Sequence, residues 1–174
     1  MDKKRAAGFQ RTLPPKKLWA VRTPKTVTMI LFIEVILKQI YKQGKKYPWP
    51  RPGICPCCKH YNMWGHGYVS RLFDGFQSAL FLKCYRCPNC GCVITLRPKT
   101  HFKSIQTPIA AIRSAIFCRL KTGRWPPGGS FSRRRHWLFN LRRNIKAHLT
   151  NTWTRGEMAG FARLRELGIL PVSV

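Results

Sequence analysis

Acid is what this chain lacks most. Its 174 residues hold 5 Asp and Glu against 33 Lys and Arg, a formal charge of +28 with a pI near 10.9. The carboxylates are Asp2, Glu34, Asp74, Glu157 and Glu166, spread over a tail, an apolar run, a turn and a C-terminal helix. A two-metal nuclease or transposase needs several converging carboxylates to hold its Mg²⁺ ions. No such constellation is visible, and the chain reads as a non-enzyme. G-x-x-x-x-G-K-[ST], G-x-S-x-G and H-E-x-x-H are also missing, which removes the usual phosphate loop, hydrolase elbow and zinc-protease helix.

Long apolar runs are missing too. The longest, Val27 to Leu37, has eleven residues and contains Glu34, too short to span a bilayer as a helix. The basic stretch before it is too long for a signal peptide, and no small-residue cleavage site follows. The expectation is a cytoplasmic chain with no membrane contact.

What is present is positive charge and cysteine. From Val35 to Gly156 the single acid is Asp74, against 23 Lys and Arg. A polyanion must neutralise such a field, so nucleic acid is the expected partner. Hydrophobic residues make up 44%, enough to build a core rather than a disordered chain.

Seven of the eight cysteines fall in two groups, Cys55-Pro56-Cys57-Cys58 and Cys84-Tyr85-Arg86-Cys87-Pro88-Asn89-Cys90-Gly91-Cys92, with Cys84 just ahead of the second hook. Read as Cys55-x-x-Cys58 and Cys87-x-x-Cys90, they are two hooks with 28 residues between them. A tight turn lets two thiolates two residues apart reach one metal, and two such turns on two hairpins make a zinc ribbon. Zn²⁺ is the expected cofactor. Cys57 competes with Cys58, and Cys84 or Cys92 with the second pair. His60 is a candidate replacement ligand, and Cys118 is expected to be a small buried hydrophobe. Tyr61 to Leu72, the Asp74-Gly75 turn, Ala79 to Leu82 and Val93 to Leu96 read as strands and hairpin between and after the hooks.

The fold class expected is α+β: a small antiparallel zinc ribbon followed by a helical, helix-turn-helix-like region, with an N-terminal basic arm and helix. Residues 1–25 are the arm, 26–53 an apolar helix and Pro-rich linker, 54–98 the ribbon, 99–150 the basic helices and 151–174 a C-terminal helix. The first helix is placed at about Thr26 to Gln43, with a buried strand at its start as the alternative, because Val27 to Phe32 is β-prone. Thr107-Pro108 opens a helix, with Thr107 as the capping residue and Pro108 in the first turn; Ile109, Ile112, Ile116, Phe117 and Leu120 fall on one face, and Gly123 closes it. Ser130 or Ser132 caps the next, with Leu138, Leu141, Ile145 and Leu149 inward and Trp137 at the edge. Thr154-Arg155-Gly156-Glu157 reads as a capping box, followed by Met158, Phe161, Leu164 and Leu167.

A helical pair whose second member bristles with Arg fits helix-turn-helix logic, although the intervening turn is longer than usual. Arg133, Arg134, Arg135 and His136 are then the candidate base readers, and Arg142, Arg143 and Lys146 the phosphate contacts. Arg71 and the aromatics Tyr61, Trp64 and Tyr68 beside the ribbon join them. Duplex DNA is favoured. An RNA-binding ribonucleoprotein component is the alternative, and an accessory subunit of a nuclease or transposase complex a weaker one.

The run Cys55-Pro56-x-Cys58, then Gly65-His66-Gly67-Tyr68-x-x-Arg71, then Tyr85-Arg86-Cys87-Pro88-x-Cys90-Gly91, then Thr95-Leu96-x-Pro98 resembles the zinc ribbon that opens many bacterial transposase-like and mobile-element proteins. Some relatives in that group are domains of unknown function. The resemblance covers roughly residues 50–150. It implies zinc on Cys55, Cys58, Cys87 and Cys90, DNA contact by the helix carrying Arg133 to Arg135, a nucleoid-associated bacterial setting and a protein partner from the same element. Cys57, Cys84 and Cys92 are extra thiols against that pattern. The catalytic domain such transposases carry downstream has no counterpart before Val174, so transposase activity is not implied.

Overall fold

The computed structural model describes residues 27–150 and 153–173. The expected basic arm lies outside the described residues. The chain is α+β. A four-stranded sheet is formed by β1 (Thr28–Ile33), β2 (Trp64–Arg71), β3 (Leu80–Arg86) and β4 (Val93–Pro98), and four helices accompany it: α1 (Leu37–Gln43), α2 (Ile109–Thr122), α3 (Phe131–His148) and α4 (Gly156–Glu166).

The two hairpins of the ribbon pair as antiparallel neighbours, β2 on β3 and β3 on β4. The β2–β3 ladder slips between Gly65 and Tyr68. Gly67 sits there at φ +78, a conformation that costs glycine little. The sheet does not end with the ribbon. β1 joins the free edge of β4 in parallel, Thr28 opposite Val93 through Ile33 opposite Pro98, giving the order β1-β4-β3-β2.

This corrects the expected helix over 26–43. Its first half is a strand, the alternative raised above, and only Leu37–Gln43 is helical. The reason is tertiary: the edge of β4 offers unpaired backbone groups, and the β-branched and aromatic residues of Val27 to Ile33 suit a pleated surface. It also makes the sheet mixed rather than antiparallel. The Pro-rich linker is not a mere spacer either. Trp49 packs against both cores of the sheet region, and Lys45 O accepts a hydrogen bond of 2.8 Å from Tyr68 Oη.

Two small cores flank the sheet. One joins Met63, Tyr85, Ile94 and Leu96 to Cys55, Cys87 and Cys92. The other joins Ile40 of α1 to Phe73, Leu80 and Leu82. A separate, larger core fills the space among α2, α3 and α4, centred on Ile112, Ile116, Leu141, Phe161 and Leu164. α3 and α4 approach closely because residue 160 is glycine; a side chain there would run into Ile145. Residues 99–108 tie the halves together. Phe102 and Ile105 enter the helical core, Arg97 Nη2 donates to Ile105 O at 3.3 Å, and Thr107 Oγ1 donates to Asp74 Oδ2.

Gly123 closes α2 in the left-handed conformation, and Ser130 caps α3 by accepting from Arg133 N. Other expectations are corrected. Thr107 spends its hydroxyl on Asp74 and does not cap α2. Phe117 and Leu167 are exposed and Trp137 is buried. The Thr154 capping box does not form: α4 starts at Gly156 without a side-chain cap, and Glu157 reaches Arg142 instead. Cys118 is half-buried, its sulfur 3.8 Å from Thr122 Oγ1. Among the described residues no helix is long and apolar enough to cross a membrane.

Candidate metal centre and basic face

The two hooks are local repeats of one turn. In the first, Cys55 N donates to His60 O at 2.8 Å and Lys59 N to Cys55 O at 2.9 Å. In the second, Cys87 N donates to Cys92 O at 2.9 Å and Gly91 N to Cys87 O at 3.0 Å. Both turns pass through a left-handed residue after the second cysteine, Lys59 at φ 60 and Gly91 at φ 70. Each turn therefore carries its own backbone bonds, and each aims two sulfurs inward.

The sulfurs meet. Cys55, Cys58, Cys87 and Cys90 form a group in which all four Sγ atoms lie within 4.8 Å of one another. Cys55 Sγ is 3.7 Å from Cys90 Sγ, and Cys58 Sγ is 3.5 Å from Cys87 Sγ. Four sulfurs about 2.3 Å from one zinc ion sit about 3.8 Å apart along the tetrahedron's edges. The donor set and spacing fit a tetrahedral metal, and these four side chains would hold it.

The electrostatics point the same way. Burial opposes ionisation of Cys55, but the Cys58 and Cys57 backbone N–H groups and the Cys90 and Cys87 thiols outweigh it and lower its pKa. The His60 backbone N–H dominates at Cys58 and, against the cost of burial, brings it down to about 6 with help from Asn89. At Cys90 the Cys92 backbone N–H favours the thiolate, yet burial and the neighbouring Cys58, Cys87 and Cys55 sulfurs push it up to about 12. Some thiols give up protons easily and the rest refuse while their neighbours are charged. A central cation removes that conflict.

The other candidate ligands are placed differently. Cys84 bonds to Thr95 Oγ1 at 3.4 Å and joins neither sulfur group. His60 contributes backbone only, and no imidazole belongs to the four-sulfur group. Cys57 and Cys92 lie in a second group that shares Cys55, and burial together with Cys57 holds the Cys92 thiol up at about 12.

The basic residues are scattered over two surfaces. On α3, Arg133 is paired with Asp74 at 3.1 Å, and Arg134 donates to the Pro126 and Pro127 carbonyls. Arg133 thus lies against the β2–β3 turn and Arg134 against the loop before the helix. Arg135 lies over the Phe131 ring at 5.8 Å, and His136 is exposed. Arg142 pairs with Glu157 at 2.9 Å. Arg143 and Lys146 are exposed and in none of the ion pairs among the described residues. All four described side-chain carboxylates are in ion pairs, Glu34 and Glu166 with Lys99 and Arg163.

The second surface contains two of the expected contacts, Arg71 and Tyr68, among residues the sequence did not single out. The outer face of the sheet holds a trough of about 1410 Å³, with Arg71, Arg97, Lys103, His66, Tyr68 and Phe32 in its lining. Tyr68 is already engaged, with Lys83 Nζ 4.3 Å over its ring, whereas Trp64 stands free at 63% exposure. Arg97 and Lys103 could have been anticipated only by knowing that β1 extends the sheet. Comparison with protein-family models, with curated proteins and with solved structures finds no match for this chain.

Proposed function

We propose that the protein is a non-catalytic, zinc-ribbon nucleic-acid-binding protein that holds duplex DNA, and that the metal on Cys55, Cys58, Cys87 and Cys90 is Zn²⁺. The observation that carries the reading is charge: every described side-chain carboxylate is already spent on one cation, which leaves most of the described Lys and Arg outside any ion pair among the described residues. The metal would staple the ribbon as a rigid platform, and α3 would lay Arg135, Arg143 and Lys146 along the phosphates. Association with a mobile element, and with a protein partner encoded by it, rests on the resemblance of residues 50–150 alone.

RNA is the second reading. Its specific support is the cation-lined trough on the sheet, with exposed aromatics nearby on the same module: Phe32 at 38%, Trp64 at 63% and Tyr61 at 64%. Unpaired bases stack on such rings.

The test is competition binding with zinc-assayed protein. Labelled duplex DNA is challenged with single-stranded DNA, structured RNA and heparin across a salt series. A duplex preference that survives heparin supports the first reading, and an RNA preference the second. Equal, salt-erased binding to every polyanion removes both and leaves charge alone. Replacing Arg143 and Lys146 by Ala should flatten the salt slope by about two if each meets a phosphate.

A further inference from the structure

The two hooks superimpose in sequence as Cys-Pro-x-Cys-x-x, so Cys57 stands where the second hook has Asn89, and Cys92 where the first has His60. Neither thiol belongs to the repeated turn, and neither is needed by the four-sulfur group. Yet the fold brings the two surplus thiols together. Cys57 Sγ is 3.4 Å from Cys92 Sγ, and both lie within 4.8 Å of Cys55 Sγ. A fourth sulfur completes the cluster: Met29 Sδ is 3.3 Å from Cys57 Sγ. Met29 is on β1, opposite Ile94 of β4, so the strand that extends the ribbon is also what delivers the thioether.

We propose that Cys57, Cys92 and Met29, with Cys55 shared from the neighbouring group, form a second metal site that takes monovalent copper. The chemistry of the donors selects the ion. All are soft sulfurs, one is an uncharged thioether, and no imidazole or carboxylate joins the group among the described residues. Thioether and thiolate together favour Cu(I), whereas zinc is served by thiolate, imidazole or carboxylate. Access is provided: Cys57 is exposed, while Cys55 and Cys92 are buried. A shared Cys55 thiolate would couple the two sites. The inference stands apart from the nucleic-acid reading.

The experiment is an anaerobic titration of the zinc-loaded full chain with Cu(I) delivered from a chelator buffer. Zinc and copper are counted after gel filtration, and the near-ultraviolet thiolate-to-copper band is followed. The expected result is a single copper per chain beside a retained single zinc. Cys57→Ser should abolish the copper and its band without changing the zinc. Because Cys57 is exposed, that variant should fold, and Met29→Leu provides a second, apolar change expected to weaken copper about tenfold. Displacement of zinc by copper overturns the proposal, as does uptake of a second zinc in place of copper. Copper binding that Cys57→Ser leaves unchanged overturns it too. So does a Cys57–Cys92 disulfide in the protein as purified under reductant-free anaerobic conditions.

Discussion

The sheet region and the helical region hold themselves together by different means. The helical core gathers thirteen buried side chains among the described residues, including Trp137, Leu141 and Phe161. The sheet has seven on one side, three of them cysteines, and four on the other. Apolar burial contributes roughly 1.5–3 kcal/mol per large side chain, so the helical half can be stable on packing alone. The ribbon half buries too little to offset the entropy of ordering long loops. Its four grouped sulfurs could supply metal bonds in place of the missing core.

The sharpest way to break that contrast is to remove the metal. Apparent zinc-binding free energies in small zinc modules run to about 10–16 kcal/mol, and that energy is folding energy. Cys87→Ser, at a fully buried position, should release the metal and expose β2, β3 and β4 to amide exchange. α2, α3 and α4 should keep their protection. Loss of protection throughout the chain would mean that the helical half depends on the ribbon, and the comparison would fall.

The converse change comes next in size. Leu141 is fully buried in the middle of α3. Leu141→Ala should cost about 3 kcal/mol through lost burial and the cavity left behind. Chemical denaturation should register the loss while the zinc content stays at its wild-type value. Zinc loss in this variant would show that the two cores are one cooperative unit.

These two regions were not equally legible. The hooks, the Asp74-Gly75 turn, β3, β4 and the bodies of α2 and α3 are local matters, written in cysteine spacing, glycine and apolar period. The rest was decided at a distance. Val27 to Ile33 reads as the start of a helix, with a strand as the alternative, until the free edge of β4 chooses, some sixty residues away. Thr154 looks like a cap, but its partner Glu157 is taken by Arg142. The sequence also does not show that Arg133 meets Asp74 and that Arg134 meets the Pro126 and Pro127 carbonyls. Spacing singles out four of the seven grouped cysteines, and the sulfurs of those four meet. The meeting of Cys57, Cys92 and Met29 carries no sequence signal, because a methionine in an apolar strand looks like any core residue.

The seam between the regions should respond to acid. His101 is 2% exposed and stacks edge-on against Phe73 at 4.8 Å. Burial, and then the nearby Arg97 charge, holds its pKa down to about 4 against a partly opposing Asp74. The folded state keeps it neutral, whereas the unfolded chain takes up a proton near pH 6.5. Stability is therefore complete above about pH 6.5 and is lost as pH falls toward 4, at a slope approaching 1.4 kcal/mol per pH unit, which is about 2 kcal/mol between pH 7 and pH 5. Denaturation at pH 7 and pH 5 should show the loss in the wild type and a smaller one in His101→Gln. The metal content must be followed in parallel, since thiolates also protonate. An equal loss in both proteins would assign the acid sensitivity to the sulfurs instead of the seam.

The smallest effect tests the repeat within the ribbon itself. The two hooks share backbone bonds and a left-handed residue after the second cysteine, yet one uses Gly91 and the other Lys59. A side chain at φ 60 strains the backbone by about 1 kcal/mol where glycine does not. Glycine's greater freedom in the unfolded chain returns part of that gain. Lys59→Gly should therefore stabilise the first hook by about 0.5 kcal/mol, read as slower metal release to a chelator with the fold unchanged. Gly91→Lys should do the reverse at the second hook, and by more, because Arg86 Nη2 lies 3.8 Å from where the new side chain would begin and would meet it with like charge. If Lys59→Gly speeds release instead, the lysine contributes more as a cation beside the thiolates than it costs in strain. The hooks would then be alike in backbone and different in charge.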